Sequence, residues 1–163
     1  MRECGNCSAC CDGWIANRIA FGDEVIEVYP GQHCRHCSGT GCSIYEDRPQ
    51  SPCREFSCMW LERESEFPEE MRPDRSGAIV VEDMPFADWD VITAIPVGLE
   101  IPDLTLNWLR LYSNQLGLPL VYNEREEVDG KLTGLGRQSY YGPDAFIDAV
   151  RNQIQPSDVM KFN

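Results

Sequence analysis

The sequence has no cysteine in its last 105 residues and no long apolar run. No stretch approaches the roughly 20 apolar residues of a membrane-spanning helix, and the first residues lack the apolar core of a signal peptide. A hydrophobic content of 42% argues against wholesale disorder. We therefore expect a folded cytoplasmic protein, and 163 residues fit one domain, or one domain with an appendage.

Basic residues are scarce. The chain has 14 Lys and Arg against 27 Asp and Glu, a formal net charge of −13. Most of this charge lies in residues 64–163, which have a net charge of −10, against −3 for residues 1–63. A negative field repels phosphate backbones and anionic lipid surfaces. We therefore expect neither nucleic acid nor a membrane among the partners.

The sequence also lacks the common catalytic motifs. It has no glycine-rich nucleotide loop after a strand, no Ser-His-Asp or Cys-His arrangement and no evident carboxylate pair, so whether it is an enzyme stays open. The only histidines, His33 and His36, lie beside Cys34 and Cys37. Each is either a substitute for a thiolate ligand or a surface side chain, and we favour the surface position.

What the sequence does have is nine cysteines within its first 58 residues. Disulfides are rare in a reducing cytoplasm, where closely spaced cysteines usually indicate metal or redox chemistry. Zinc takes four thiolate ligands in closed structural sites. We predict that all nine are candidate metal ligands. They form two clusters, the first Cys4, Cys7, Cys10 and Cys11, and the second Cys34, Cys37, Cys42, Cys53 and Cys58.

Eight thiolates would fill two zinc sites, or would hold iron or a [4Fe-4S] cluster with ligands left over. One thiol is then spare. Neighbouring side chains point in different directions, so Cys10 and Cys11 either serve two metals, or one is a ligand while the other packs. This pair is the first place to look for the spare thiol.

Two segments resemble a known family. Residues 4–11 (C-G-N-C-S-A-C-C) resemble the opening of the YkgJ-like cysteine-cluster family, and residues 42–56 match its C-S-I-Y-x-x-R-P and C-R-x-F signature. The resemblance covers about residues 4–81. It implies a zinc- or iron-chelating domain. Some members are flagellin lysine N-methylases, which use S-adenosylmethionine and carry an iron–sulfur cluster.

We predict an α+β fold, in which a loop-rich cysteine module at residues 1–63 packs on an acidic part at residues 64–163 with a small sheet and two helices. The predicted strands are residues 24–29, 77–82, 90–95 (stopped by Pro96) and 118–123. Asp129 and Gly130 predict a hairpin turn. Residues 56–61 suit a short helix or turn, and residues 64–76 a connection.

The apolar spacing predicts two helices. One covers residues 105–116, with Asp103 as N-cap and Gly117 as the stop. Its apolar residues include Leu104, Trp108, Leu111 and Tyr112, which we expect to face the core rather than a partner. The second begins at Pro143 and presents Phe146, Ile147, Val150 and Ile154 on one face. The tail from Gln155 is expected to fray.

Several other side chains flank the cysteines. Arg48 and Arg54 either hydrogen-bond to carbonyl groups or thiolates near the metal, or form salt bridges with Glu46, Asp47 or Glu55. The aromatic residues Tyr45, Phe56 and Trp60 are expected to pack over the metal region. The charged runs 62–70 and 124–127 are expected to be solvated.

These observations leave three functional hypotheses. The favoured one is a cytoplasmic protein with about two structural Zn²⁺ ions that acts through a protein partner. The second is an iron–sulfur or iron-dependent enzyme related to the methylases. The third is a metal-handling or thiol redox protein.

Overall fold

The computed structural model describes residues 2–82, 85–86 and 88–153. The fold is α+β, as predicted. A four-stranded sheet has the order β3-β4-β5-β6, with β3 at Ala78–Val81, β4 at Ile92–Pro96, β5 at Leu120–Val128 and β6 at Lys131–Tyr141. The pairs β3–β4 and β5–β6 are antiparallel, and β4–β5 is parallel. A separate antiparallel hairpin joins β1 (Asn17–Phe21) and β2 (Glu24–Val28).

The parallel pair needs a crossover connection, and helix α3 (Asp103–Leu116) provides it. Gly117 ends α3 in the left-handed conformation at φ 70°, as predicted. The predicted N-cap is wrong, because Asp103 is already the first helical residue and Pro102 precedes it without a capping side chain. Pro96 also differs from expectation, since it is the last paired residue of β4.

The inner face of α3 is narrower than predicted. Leu109 and Tyr112 are buried, whereas Leu104 and Leu111 are 85% and 70% exposed. The sequence spacing did not distinguish the two sides, because apolar residues occur around more than half of the helix. Residues on the side of Leu104 and Leu111 therefore contribute little to the core.

The sheet is covered on both faces. Alternate strand residues point to opposite faces, so Leu120 joins the main core and its neighbour Val121 joins a smaller one. The smaller core is formed with Phe146 and Val150 of α4 (Asp144–Gln153), in agreement with the apolar face that was predicted for the second helix. Ile154 and the tail from Gln155 lie outside the described residues.

The main core crosses the predicted boundary at residue 63. It combines Ala9, Met59 and Trp60 with the apolar residues of β3 and β4. Met59 and Trp60 belong to the short helix α1 (Met59–Glu62), and the supposed connection at residues 64–76 contains another, α2 (Pro73–Ser76). The cysteine module and the rest of the chain therefore share one hydrophobic core.

The hairpin turn at Asp129 and Gly130 is confirmed by φ angles of 52° and 73°. One charged residue is not solvated as expected, since Arg125 is only 8% exposed. It lies where the β5–β6 register shifts, and its guanidinium group donates to the carbonyl oxygen of Trp14. No helix among the described residues is long and apolar enough to cross a membrane.

Candidate metal centre

Eight of the nine cysteines line one cavity of about 110 Å³. They come from five separate parts of the chain, so the fold and not the spacing alone brings them together. The rest of the wall is largely apolar and includes Tyr45, Phe56 and Trp60, which confirms that these aromatic side chains pack over the cysteine region. The lining cysteines are Cys4, Cys7, Cys10, Cys11, Cys34, Cys42, Cys53 and Cys58.

Short backbone turns position cysteines of both clusters. The N–H of Cys7 donates to the carbonyl oxygen of Cys4 at 2.9 Å, and the same bond joins Cys37 to Cys34 at 2.9 Å. A third bond, from the N–H of Cys34 to the carbonyl oxygen of Cys11 at 2.8 Å, connects the two sequence clusters. Backbone hydrogen bonds therefore help to set the relative positions of the two clusters.

Gly41 also brings the two clusters together. Its φ of 125° lies in the region that favours glycine, and a Cβ atom there would lie 2.6 Å from the carbonyl oxygen of Gly5. Gly5 lies between Cys4 and Cys7, and Gly41 precedes Cys42. Only a residue without a side chain lets these two turns approach so closely.

Burial in the cavity favours the neutral form of several of its thiols. Burial raises the pKa of Cys58 to about 11 and that of Cys11 to about 12. Burial likewise raises the pKa of Cys4 and of Cys53, while the positive charge of Arg48 opposes this increase at both. A metal ion would have to displace the protons of these thiols on binding.

Cys37 is the exception. It is not among the residues that line the cavity, and its Sγ donates to Oδ1 of Asp12 at 3.1 Å. The other carboxylate oxygen of Asp12 accepts a hydrogen bond from Ser8 at 2.7 Å. The thiol that stands apart is thus Cys37, whereas we expected it at Cys10 or Cys11, both of which line the cavity.

The arginines beside the second cluster bond to backbone carbonyls, one of the two alternatives. Arg48 donates to the carbonyl oxygens of Tyr45 and Cys53, and its guanidinium carbon lies 3.8 Å from the centre of the Tyr45 ring. Arg54 donates to the carbonyl oxygen of Arg48 at 2.9 Å and to that of Glu46. Both side chains therefore hold the loop that carries Cys53.

The two histidines differ in position. His36 lines the cavity, with its ring 4.9 Å from that of Phe21, while His33 is exposed. His36 Nε2 also accepts a hydrogen bond from Arg35 at 3.3 Å. His33 thus matches the expected surface position, and His36 is the histidine nearest the thiols.

Sequence reasoning missed two carboxylates at the cysteines. Burial raises the pKa of Cys7 and the negative charge of Asp74 in α2 adds to this increase, while Arg72 holds this carboxylate through bonds of 2.6 and 2.8 Å. Asp12 bonds to Cys37, as described above. The position of Asp12 one residue after Cys11 was a usable signal, whereas nothing local connects Asp74 with Cys7.

The chemistry of the donor set fits a thiolate-bound metal. Eight thiols with an apolar surround suit zinc or iron, which accept sulfur ligands. Among the described residues, however, no three His, Cys, Asp or Glu side chains are already arranged to hold an ion. The thiols that line the cavity would have to move closer together to bind an ion.

No protein family, no curated protein and no solved structure matches the chain. The YkgJ-like resemblance therefore stays a prediction that depends on residues 4–11 and 42–56.

Proposed function

We propose that this protein binds metal ions, with zinc favoured, through the thiolates of its cavity, and that the metal stabilises the N-terminal module. The observation that carries this proposal is the collection of eight cysteines from five parts of the chain around one cavity. Cysteines that served only as buried apolar residues would not be expected to line the same cavity.

A stabilising role follows from the composition of the module. The hairpin β1–β2 has a small core of its own, formed by Ile19, Val28 and Cys34. Small modules of this kind commonly use metal bonds in place of apolar burial. Structural zinc provides about 10–16 kcal/mol of apparent binding free energy to such folds, and four protein ligands leave no open position for a substrate.

An iron–sulfur cluster is the second candidate. The cavity of about 110 Å³ has room for such a cluster as well as for two ions, since about 10–15 Å³ of this kind of volume holds one water molecule. The thiol redox hypothesis has less support. Reactive cysteines have a lowered pKa, whereas burial raises the pKa of Cys37 as well as that of Cys58.

The test is anaerobic purification of the full chain from cells supplied with both zinc and iron, followed by metal analysis and a visible spectrum. About two zinc ions per chain and a colourless protein would support the proposal. Brown protein with acid-labile sulfide would support an iron–sulfur cluster in place of zinc. Absence of any bound metal would refute both.

Two matched variants refine the test. Cys7→Ser and Cys53→Ser each remove a cavity thiol and should lower the metal content, whereas Cys37→Ser should leave it unchanged. Normal metal content in both cavity variants would contradict our assignment of the ligands. A cytoplasmic location and a protein partner stay predictions.

A further inference from the structure

Cys37, the thiol that stands apart from the cavity, lies directly opposite Cys42 in a short antiparallel bridge. Two backbone hydrogen bonds between the flanking residues bracket this pair, and neither of them involves a cysteine. The two cysteines therefore form the non-hydrogen-bonded kind of antiparallel pair. The bracketing bonds run from the N–H of Ser38 to the carbonyl oxygen of Gly41 at 3.0 Å and from the N–H of Ser43 to that of His36 at 2.9 Å.

The geometry of such a pair suits a disulfide bond. Residues that lie directly opposite in an antiparallel pair share one face, and in a non-hydrogen-bonded pair their Cα atoms are about 4.5 Å apart. Disulfide-bonded cysteines have Cα atoms about 4.4–6.8 Å apart. The bridge therefore holds Cys37 and Cys42 at a bonding separation, and a rotation of the side chains is enough to join the sulfur atoms.

Cys37 has a second neighbour in Cys34, at the other end of a backbone turn. Cys34 is only 5% exposed and belongs to the hairpin core. Cys37 and Cys42 are both half-buried, and residues 38–40 between them are exposed. A soluble oxidant can thus reach Cys37 and Cys42, whereas access to Cys34 requires the hairpin core to open.

The hydrogen bond from Cys37 to Asp12 is compatible with this pairing. It is a single bond of 3.1 Å, which is given up when the side chain of Cys37 turns towards Cys42. Burial raises the pKa of Cys37, which argues against a fast catalytic thiol. A cross-link needs only a neighbouring thiol and an oxidant, so we expect its formation to be slow.

We propose that Cys37 and Cys42 form a reversible disulfide bond when the metal-free protein meets a small disulfide such as oxidised glutathione. The thiolate of Cys37 attacks one sulfur atom of the small disulfide, forms a mixed disulfide and releases one glutathione thiolate. The thiolate of Cys42 then attacks the sulfur of Cys37 and releases the second. Two protein thiols are oxidised, one small disulfide is reduced, and the two cysteine protons end on the released glutathione thiols.

The disulfide takes a thiol away from the cavity, because Cys42 lines it. This consequence rests on the proposed function. Two closed zinc sites use eight thiolates, so a chain with Cys42 in the disulfide can complete only one of them. Bound metal in turn protects Cys42, since a thiolate that is held by an ion is not free to attack the mixed disulfide.

The experiment exposes the full chain, freed of metal by a chelator, to oxidised glutathione. Free thiols are then blocked with one alkylating reagent, and thiols released by later reduction are labelled with a second. Cleavage after Arg35 and Glu46 yields the peptide 36–46, whose only cysteines are Cys37 and Cys42. We expect the second label on both, and the unreduced peptide should lack two hydrogen atoms.

The outcomes separate the two proposals. A disulfide between Cys37 and Cys34, or free thiols at Cys37 and Cys42 after oxidation, would overturn the inference and leave metal binding intact. A disulfide between Cys37 and Cys42 in a chain that binds no metal would support the inference and refute the proposed function.

The matched variant is Cys37→Ser, which cannot form the bond and keeps every cavity thiol. Oxidation before zinc is added should lower the zinc content of the unaltered protein from about two ions to about one per chain. The same treatment should leave the zinc content of Cys37→Ser unchanged. Equal losses in both proteins would show that oxidation of other thiols removes the metal, and would overturn the link between this disulfide and the cavity.

Discussion

The backbone at Gly41 lies so close to Gly5 that a methyl group on Gly41 would come within 2.6 Å of the Gly5 carbonyl oxygen. These two glycines belong to different cysteine clusters, so their contact is a condition for the cavity between them. It also offers a way to disturb the cavity without removing a thiol.

We expect Gly41→Ala to weaken metal binding at least tenfold and to destabilise the module. The matched control is Gly39→Ala, because Gly39 also has a positive φ, 77°, but a Cβ atom there would meet nothing within 4 Å. The control therefore tests a positive φ without the clash, although the φ of 125° at Gly41 is the more restrictive of the two for a residue with a side chain. Competition with a metal-binding dye would measure both affinities, and equal losses in the two variants would show that the Gly5 contact is unimportant.

Removing the Arg125 side chain should destabilise the protein. Arg125 is buried and donates to the Trp14 carbonyl oxygen, with its guanidinium carbon 5.6 Å from the centre of the Trp14 ring. Leaving a buried carbonyl without its charged donor costs about 1–3 kcal/mol. Urea denaturation of Arg125→Ala should show this loss in the free energy of unfolding.

Arg137→Ala is the control for that experiment. Arg137 lies on the neighbouring strand β6 and pairs with Glu124 at 2.7 Å at the exposed surface. Exposed ion pairs contribute little, so its loss should leave the free energy of unfolding almost unchanged. Equal effects in both variants would mean that the bond to Trp14 adds nothing.

The metal-free protein should lose stability at alkaline pH. Burial raises the thiol pKa from 9.0 to about 11 for Cys58 and about 12 for Cys11. Each neutral buried thiol contributes fully below pH 9, and the contribution is lost as the pH rises through the folded-state pKa, because the unfolded chain ionises first. Thermal melts between pH 8 and 11 should show a falling melting temperature.

The metal-loaded protein provides the comparison for this pH series. Its ligand thiols are already ionised, so the alkaline loss should be much smaller, and affinity for the metal should instead weaken as the pH falls and protons compete. A metal-free protein with a flat profile from pH 8 to 11 would contradict the burial of these thiols.

Removal of the metal with a chelator should loosen the hairpin more than the large sheet. The hairpin core is small, whereas β3 and β4 are buried between elements of the main core. Hydrogen exchange should therefore accelerate first at Ile19 and Val28, and later at Ile79. Uniform acceleration across both regions would show that the metal stabilises the whole chain equally.

The sequence was most informative where a signal is local. The β-branched run of β3 and the turn at Asp129 and Gly130 were predicted, because each depends on neighbouring residues. Strand β1 was missed because Asn17 and Arg18 weaken its apolar alternation. The length of β5 was underestimated because its outer half is polar, and β6 was not predicted beyond the hairpin turn that precedes it. An antiparallel strand that is exposed to solvent needs few apolar residues.

In the candidate site, too, local features could be predicted and tertiary contacts could not. The cysteine spacing was enough to predict a thiol-rich site, but we expected the separate thiol at Cys10 or Cys11, whereas it is Cys37 that does not line the cavity. The position of Cys58 in the main core, with Cys7 and Cys10 packed against that core, could not be predicted because it depends on how α1 packs on the sheet. The buried position of Arg125 within an acidic run was likewise decided by tertiary contact.

The bond between Arg125 and Trp14 has a consequence for the order of events during synthesis. Every cysteine is synthesised before Arg125, and at about 5–20 residues per second the segment between Cys58 and Arg125 takes several seconds. During that interval the thiols exist while the strand that supports Trp14 does not. The cysteines are therefore made before the contact that joins Trp14 to the large sheet can form.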